Sequence, residues 1–270
     1  MDAKNKQEKP GIRNKNYWDS IYTNGNSSEL LSLDEYKKDY KQYCDKLIMD
    51  KIIEFYGEGS VLEIGAGNSD WIIRVFNELK PPHCAGLDYS EEGCRLLEEK
   101  SKANGVNINV VHADMFSPPV GLIEKFNFVM SFGVVEHFKD LAEVLGIVSQ
   151  FSKPGGLIFS IIPNMAGVYG VLTRLWNKEI YDIHVPHDLP SFIDGHHVAG
   201  LDVLWADYLG SSNFSVLSSC FKEQKGFNFF IYKQLTRISK VLWFFESHIK
   251  ELPVSKAFSP YILIVSRVPE

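Results

Sequence analysis

The sequence predicts a doubly wound α/β domain built on a mostly parallel sheet. Three observations lead there. A short apolar run, Val61 to Ile64, leads into Gly65-Ala66-Gly67-Asn68 and then into a helical pattern from Asp70. That order is a buried strand, a tight glycine turn and a helix. Further apolar runs at 84–88, 107–112, 126–131 and 156–162 alternate with helix-length segments, the pattern of parallel strands joined by crossover helices. Finally, 270 residues with 45% apolar content suffice for one large core carrying insertions.

The elements follow in order. Residues 1–16 are polar and lysine-rich and read as a disordered tail. Residues 17–270 then form one domain that starts with a helical segment, 17–58. Within it, Tyr17, Trp18 and Tyr22 sit on an amphipathic turn. A helix is expected over Asp34 to Tyr56, with Leu47, Ile48, Ile52, Ile53 and Phe55 on its apolar side.

Strand one is Ser60 to Ile64 and the helix after it Ser69 to Leu79, stopped by Pro81-Pro82. Strand two is Cys84 to Asp88. Ser90 caps the next helix, Glu91 and Glu92 lie in its first turn, and Asn104-Gly105 ends it. Strands three, four and five are Asn107 to His112, Phe126 to Ser131 and Gly156 to Ile162, with a helix over 138–151. A helix over His196 to Leu209, a strand over Phe214 to Cys220 and a last strand near Tyr261 to Val268 complete the expectation.

Two stretches exceed this plan. Met165 to Asp194 is rich in aromatic and histidine residues and reads as a cap over the sheet's carboxyl edge, because long loops in compact domains are usually functional. Lys222 to Lys256 carries a helical pattern over 231–248, with Phe245 and Trp243 on one face and Lys233, Arg237 and Lys240 on another. A second cap, a homodimer contact and an interfacial membrane helix are its three readings.

The glycine turn defines the ligand. Glu63 is a carboxylate at the end of a buried strand, which is costly without a cation or donors. Asp70 stands where a dinucleotide loop has its third glycine, and would repel a pyrophosphate. Asp88 ends strand two, where an acid accepts both hydroxyls of a ribose. Such a loop suits a positively charged nucleoside without phosphate, and S-adenosylmethionine fits. A nicotinamide cofactor is disfavoured by Glu63 and Asp70.

Over roughly Val61 to Asn164 the sequence resembles the class I S-adenosylmethionine-dependent methyltransferases. The resemblance rests on Glu63-x-Gly65-x-Gly67, Gly86-Leu87-Asp88-Tyr89-Ser90, Ala113-Asp114-Met115, the run Phe128 to His137, and Pro154-Gly155-Gly156. Ser69 replaces the family's last motif glycine.

The resemblance implies a Rossmann-like seven-stranded sheet in the order 3-2-1-4-5-7-6 with its last strand antiparallel. It implies S-adenosyl-L-methionine as co-substrate. Gly65, Ala66 and Gly67 would approach the methionine part, with Glu63 holding its amino group or ordering the loop. Asp88 would take the ribose and Tyr89 flank the adenine, Asp114 accept the adenine amine and Met115 pack on the ring. Phe132 and Gly133 would line the far wall. Tyr17, Trp18 and Tyr22 would close over the methionine end, where aromatic rings attract a sulfonium. Glu136 is also explained by a helix-start preference, and the family often has histidine at His137 without a proton-transfer role.

His184 and His187 are the candidate proton acceptors, since histidine titrates near neutrality. A metal group drawn from His184, His187, Asp188, His196 and His197 matches no zinc spacing, so no metal is expected.

The net charge of −6 with no basic block argues against nucleic acid. Four cysteines without a Cys-x-x-Cys pair suit a reducing cytoplasm. The start lacks the apolar core of a signal peptide, and no run would give stable membrane insertion. The expectation is a cytoplasmic enzyme methylating an oxygen or nitrogen of a small-molecule acceptor. A non-catalytic nucleoside-binding module is the alternative.

Overall fold

Leu62 and Val129 lie side by side in adjacent parallel strands, and Ala85 flanks Leu62 on the other side. All four residues of β1 (Val61–Ile64) are buried, so this strand sits at the sheet's centre with both faces covered. The structure, a computed structural model, describes Tyr22 and residues 39–248 and 252–270. Tyr17, Trp18, the tail over 1–16 and the start of the first expected helix lie outside the described residues.

The chain runs from α1 (Tyr43–Phe55) into β1, then α2 (Trp71–Leu79), β2 (Cys84–Asp88), α3 (Glu91–Ala103), β3 (Asn109–His112) and β4 (Phe126–Phe132). It continues through α4 (Leu141–Ser149), β5 (Ser152–Pro163), α5 (Val168–Trp176), α6 (Lys178–Asp182), α7 (Leu189–Val198) and β6 (Asp202–Leu209). After α8 (Phe227–His248), β7 (Tyr261–Arg267) inserts between β5 and β6. The sheet order is β3-β2-β1-β4-β5-β7-β6. β7 is antiparallel to both neighbours and the other pairings are parallel, as the resemblance implies.

Each face of the sheet has its own core. Ile48 and Ile52 of α1, Ile72 and Ile73 of α2, and Phe128 and Phe159 of the sheet fill one side. Leu62, Leu145, Phe151, Phe192 and Ile264 fill the other. Ser90 caps α3 by accepting from the Gly93 N–H at 3.1 Å. Gly105 takes a left-handed φ of +64° just beyond it, as a terminating glycine does.

The last third departs from expectation. The helix expected over 196–209 ends at Val198, and Gly200 turns the chain with φ +79°. Residues 202–209 are instead the edge strand β6. Only Leu209 of that strand is fully buried, so its alternation is weak and a three-residue apolar spacing imitates a helix. The strand expected over 214–220 is a 3-10 helix. Its buried apolar residues Phe214, Leu217 and Cys220 recur every third position, the 3-10 period. The Asn213 side chain accepts from Ser215 N–H and starts the turn.

The stretch 165–194 is not an irregular loop but holds α5, α6 and the start of α7. A third, smaller core joins the two insertions: Tyr169 of α5 and Tyr232 of α8 bury with Phe214, Leu217 and Cys220. Phe230, Val241 and Phe244 of α8 remain exposed. Among the described residues no helix is long and apolar enough to cross a membrane.

One side chain ties the chain before β7 to the end of β5. Asn164, fully buried, donates from Nδ2 to the carbonyls of Lys256 and Ser259, both at 2.8 Å. Asn164→Ala leaves both carbonyls without that donor. It is expected to lower the unfolding free energy by about 2 kcal/mol in urea denaturation.

Candidate functional site

The carboxyl ends of β1, β2 and β4 open into a cavity of about 1290 Å³. Its floor is the turn after β1. Gly65 has φ +73° and its N–H, like that of Ala66, donates to Leu87 O. Gly67 needs its missing side chain: a Cβ there would lie 2.7 Å from Asp88 Oδ2 and 2.8 Å from the Tyr22 ring. Backbone, carboxylate and phenol converge on that point.

Asp88 binds two amides. Its Oδ2 accepts from Gly67 N–H and its Oδ1 from Ser90 N–H, each at 2.7 Å. These bonds lower its pKa, but burial outweighs them and the net shift is upward. The Tyr22 ring also lies against Gly93, and burial beside Asp88 and Glu63 pushes its phenol well above the usual tyrosine range.

Glu63 is 1% exposed. Ser69 Oγ lies 2.7 and 2.9 Å from its two carboxylate oxygens and donates to them, while the Ile72 amide supplies a further donor. The serine in the last motif position thus partners the motif acid. Burial still dominates and raises Glu63 to about 8.

Asp70 is not a lone negative charge at the helix start. Lys100, buried on α3, reaches its carboxylate at 2.6 Å and the Asn68 carbonyl at 2.7 Å. The repulsion expected there is compensated by a lysine thirty residues away, a partner that no local spacing signals.

Tyr89, Asp114 and Met115 line the cavity beyond β2 and β3. Asp114 also accepts from Phe116 N–H at 2.9 Å, a turn-forming contact. On the opposite wall Phe132 stacks on Trp71, with centroids 4.7 Å apart and planes at 4°. Gly133 follows with φ +66°. The Arg74 guanidinium lies 5.1 Å from the Trp71 ring centre and donates to Asp45 of α1 at 2.8 Å. Trp71, Arg74 and Asp45 line the cavity without having been expected there. Trp71, two residues past the serine, was the legible signal.

The cap side adds a further wall. Asn177, Ile180, Ile183 and His184 come from 165–194, and Ser219 and Lys222 from the segment after β6. His187 lies outside this lining, so of the two expected proton acceptors only His184 reaches the cavity. His196 is fully buried instead, with Nδ1 2.9 Å from Ser266 Oγ, and burial pushes it down to about 3. Asp188 caps α7 and pairs with Lys256 at 2.7 Å. The five-residue metal grouping drawn from 184–197 therefore does not assemble.

A different group does. Glu136, His137 and His184 bring one donor atom each within 4.8 Å of one another. Glu136 is 1% exposed, neither of its carboxylate oxygens has a hydrogen-bond partner, and burial raises it to about 7. His137 donates from Nδ1 to Ile183 O at 2.8 Å, and His184 from Nδ1 to Ile180 O at 2.6 Å. Burial lowers both imidazoles.

Comparison with known proteins adds family context. A family model described as a methyltransferase domain matches residues 36–201. Demethylmenaquinone methyltransferase of Listeria welshimeri is 28% identical over 136 residues, 49% of this chain and 54% of that protein. The Geobacillus kaustophilus protein of the same name is 28% identical over 134 residues, 48% of this chain and 54% of that one. The chain thus spans about half the length of the curated relatives it matches.

Geranyl diphosphate C-methyltransferase from Streptomyces coelicolor A3(2), solved with Mg2+, geranyl diphosphate and S-adenosyl-L-homocysteine, superposes with a TM-score of 0.60. That superposition has 12% identity and covers 94% of this chain and 96% of the other. The [4+2]-cyclase SpnF superposes at 0.57 with 12% identity, over 85% and 80%. At such identities the superpositions establish the fold alone.

The buried Glu63 generates a pH test. It is neutral in the folded protein up to about pH 8, whereas its ordinary value is 4.5. Between those values the folded state holds a proton that the unfolded chain has lost, so stability falls as pH rises from 4.5 to about 8 and levels off above. Glu63→Gln should flatten this part of the slope in urea midpoints measured across the window. The slope that remains belongs to other groups, Glu136 among them.

Proposed function

The chain belongs to the methyltransferase-domain family, the class I S-adenosylmethionine-dependent methyltransferases, and from this we propose that it methylates an oxygen or nitrogen of an enclosed small molecule. The observation that carries the reading is the single cavity running from the Gly65–Gly67 turn to the cap residues Asn177, Ile180 and His184. One half suits a methyl donor, the other an acceptor.

In this reading the nucleoside lies along the ends of β1 and β2. Asp88 takes the ribose, Asp114 and Met115 the adenine, and the turn with Glu63 the methionine group. Tyr22, packed at Gly67 and Gly93, would cover the donor. A sulfonium is an activated electrophile, so the protein's task is alignment. Holding two reactants in line near contact distance supplies several kcal/mol. The caps keep water out, which strengthens electrostatics inside. His184 faces the acceptor, beside Glu136.

Calorimetry with S-adenosylhomocysteine, followed by turnover of S-adenosylmethionine with a metabolite mixture, tests the proposal. Binding together with acceptor-dependent product supports it. Binding without turnover of any acceptor favours the regulatory module, and no binding removes both. Gly67→Ala pushes a methyl into Asp88 and Tyr22. It should weaken S-adenosylhomocysteine binding at least about tenfold, or 1.4 kcal/mol.

A further inference from the structure

The acceptor half of the cavity contains a buried carboxylate that nothing in the methyl-transfer reading uses. Glu136 follows β4 on a short 3-10 turn, Val135–His137. Its carboxylate is buried, and neither oxygen has a hydrogen-bond partner. Leaving a buried carboxylate charged and uncompensated costs several kcal/mol, a cost that a cation bound beside it would offset.

Two imidazoles stand beside it. Backbone bonds hold their segment in place: Val185 N–H donates to Glu136 O at 2.7 Å, and His137 Nδ1–H to Ile183 O at 2.8 Å. His184 reaches the group from a position 48 residues away, yet this pairing fixes its backbone next to Glu136. Its Nδ1 donates to the Ile180 carbonyl, which places the Nε2 lone pair opposite. A backbone carbonyl on the far nitrogen is the usual support of a metal-bound histidine. His137 has the same support at Ile183. Its ring also meets the Gly133 carbonyl, a contact that ligation would exchange.

We infer that Glu136, His137 and His184 bind one divalent transition-metal ion at the acceptor end of the cavity. The donor atoms lie within 4.8 Å of one another. Bonds of about 2.0–2.2 Å require them roughly 3–3.5 Å apart, so the widest separation closes by about 1.3–1.8 Å. Two nitrogens and one carboxylate select zinc, cobalt, iron or manganese over magnesium and calcium, which prefer all-oxygen shells. Three protein ligands leave positions open toward the cavity, where an acceptor oxygen completes the shell. His184 is then a ligand and not a proton acceptor. That role for the acceptor rests on the methyl-transfer reading, while binding of the ion does not.

The test uses tag-free, chelator-treated full-length protein titrated with Co2+, without nucleoside or acceptor. One equivalent with a visible ligand-field band is expected, displaced by Zn2+ and not by Mg2+. Glu136→Gln and His184→Ala should each weaken Co2+ binding at least about tenfold. S-adenosylhomocysteine calorimetry on the same variants checks that they fold.

Anomalous scattering at the zinc edge from Zn2+-soaked wild-type crystals locates the ion independently of any variant. A peak between Glu136 and His184 supports the inference. No stoichiometric Co2+ binding, unchanged affinity in both folded variants, equal displacement by Mg2+, or a peak elsewhere overturns it. Methyl transfer without an ion would leave the proposed function standing, and an ion without methyl transfer would leave the site standing.

Discussion

Three buried carboxylates share one cavity, and much of the site's construction answers that constraint. Glu63, Asp88 and Glu136 are 1, 6 and 1% exposed and each faces the same space. A buried carboxylate must be given donors, a cation or a proton. The chain solves the problem differently each time. Asp88 receives two backbone amides, which also fasten the glycine turn to the start of α3. Glu63 receives a serine hydroxyl and a helix amide, with burial still strong enough to raise it to about 8. Glu136 has no partner on either oxygen. The donors fall short of the charge in steps across the cavity, and at Glu63 a proton makes up the difference up to about pH 8.

The same logic explains the surroundings. Asp70 would add a fourth carboxylate at the lip, and buried Lys100 pairs with it at 2.6 Å. Asp45 is matched by Arg74 at 2.8 Å. The ion pairs lie on the outer acids, whereas the acids at the strand ends depend on amides and hydroxyls. An amide is a fixed dipole that does not carry a full charge, so it orients a carboxylate without cancelling its attraction for a cation.

How much of this is legible in sequence depends on where an element's partners lie. The central strands are buried on both faces and read as continuous apolar runs, so β2 was expected over the residues it occupies, Cys84–Asp88. The glycine turn was legible because its conformation is local. The edge was not. β6 buries one residue fully, and its sequence follows the helix α7 with only Gly200 to mark the change. The 3-10 helix at 214–220 has an apolar period of three, which neither the strand nor the α-helix template matches. Side-chain pairs across long separations left no trace either: Lys100 with Asp70, and His184 with Glu136. Tyr22 was expected against the cofactor and the structure packs it on Gly67 and Gly93.

The two halves of the cavity are built by different means. One half belongs to the sheet: the Gly65–Gly67 turn and Asp88 are set by β1 and β2, buried in the middle of the molecule. The other half belongs to insertions, α5 and α6 on one side and the stretch after β6 on the other, which share a small core through Tyr169 and Tyr232. The insertion is bonded to the turn after β4 through residues 183–187: Val185 N–H to Glu136 O, His137 Nδ1 to Ile183 O, and the His187 ring to the Phe138 backbone. Residues such as Asn177, Ile180 and Ser219 can therefore change without disturbing β1 or β2, whereas Glu136 cannot move without moving the end of β4. The group at Glu136 is the fixed point of this half of the cavity, tied to the turn after β4.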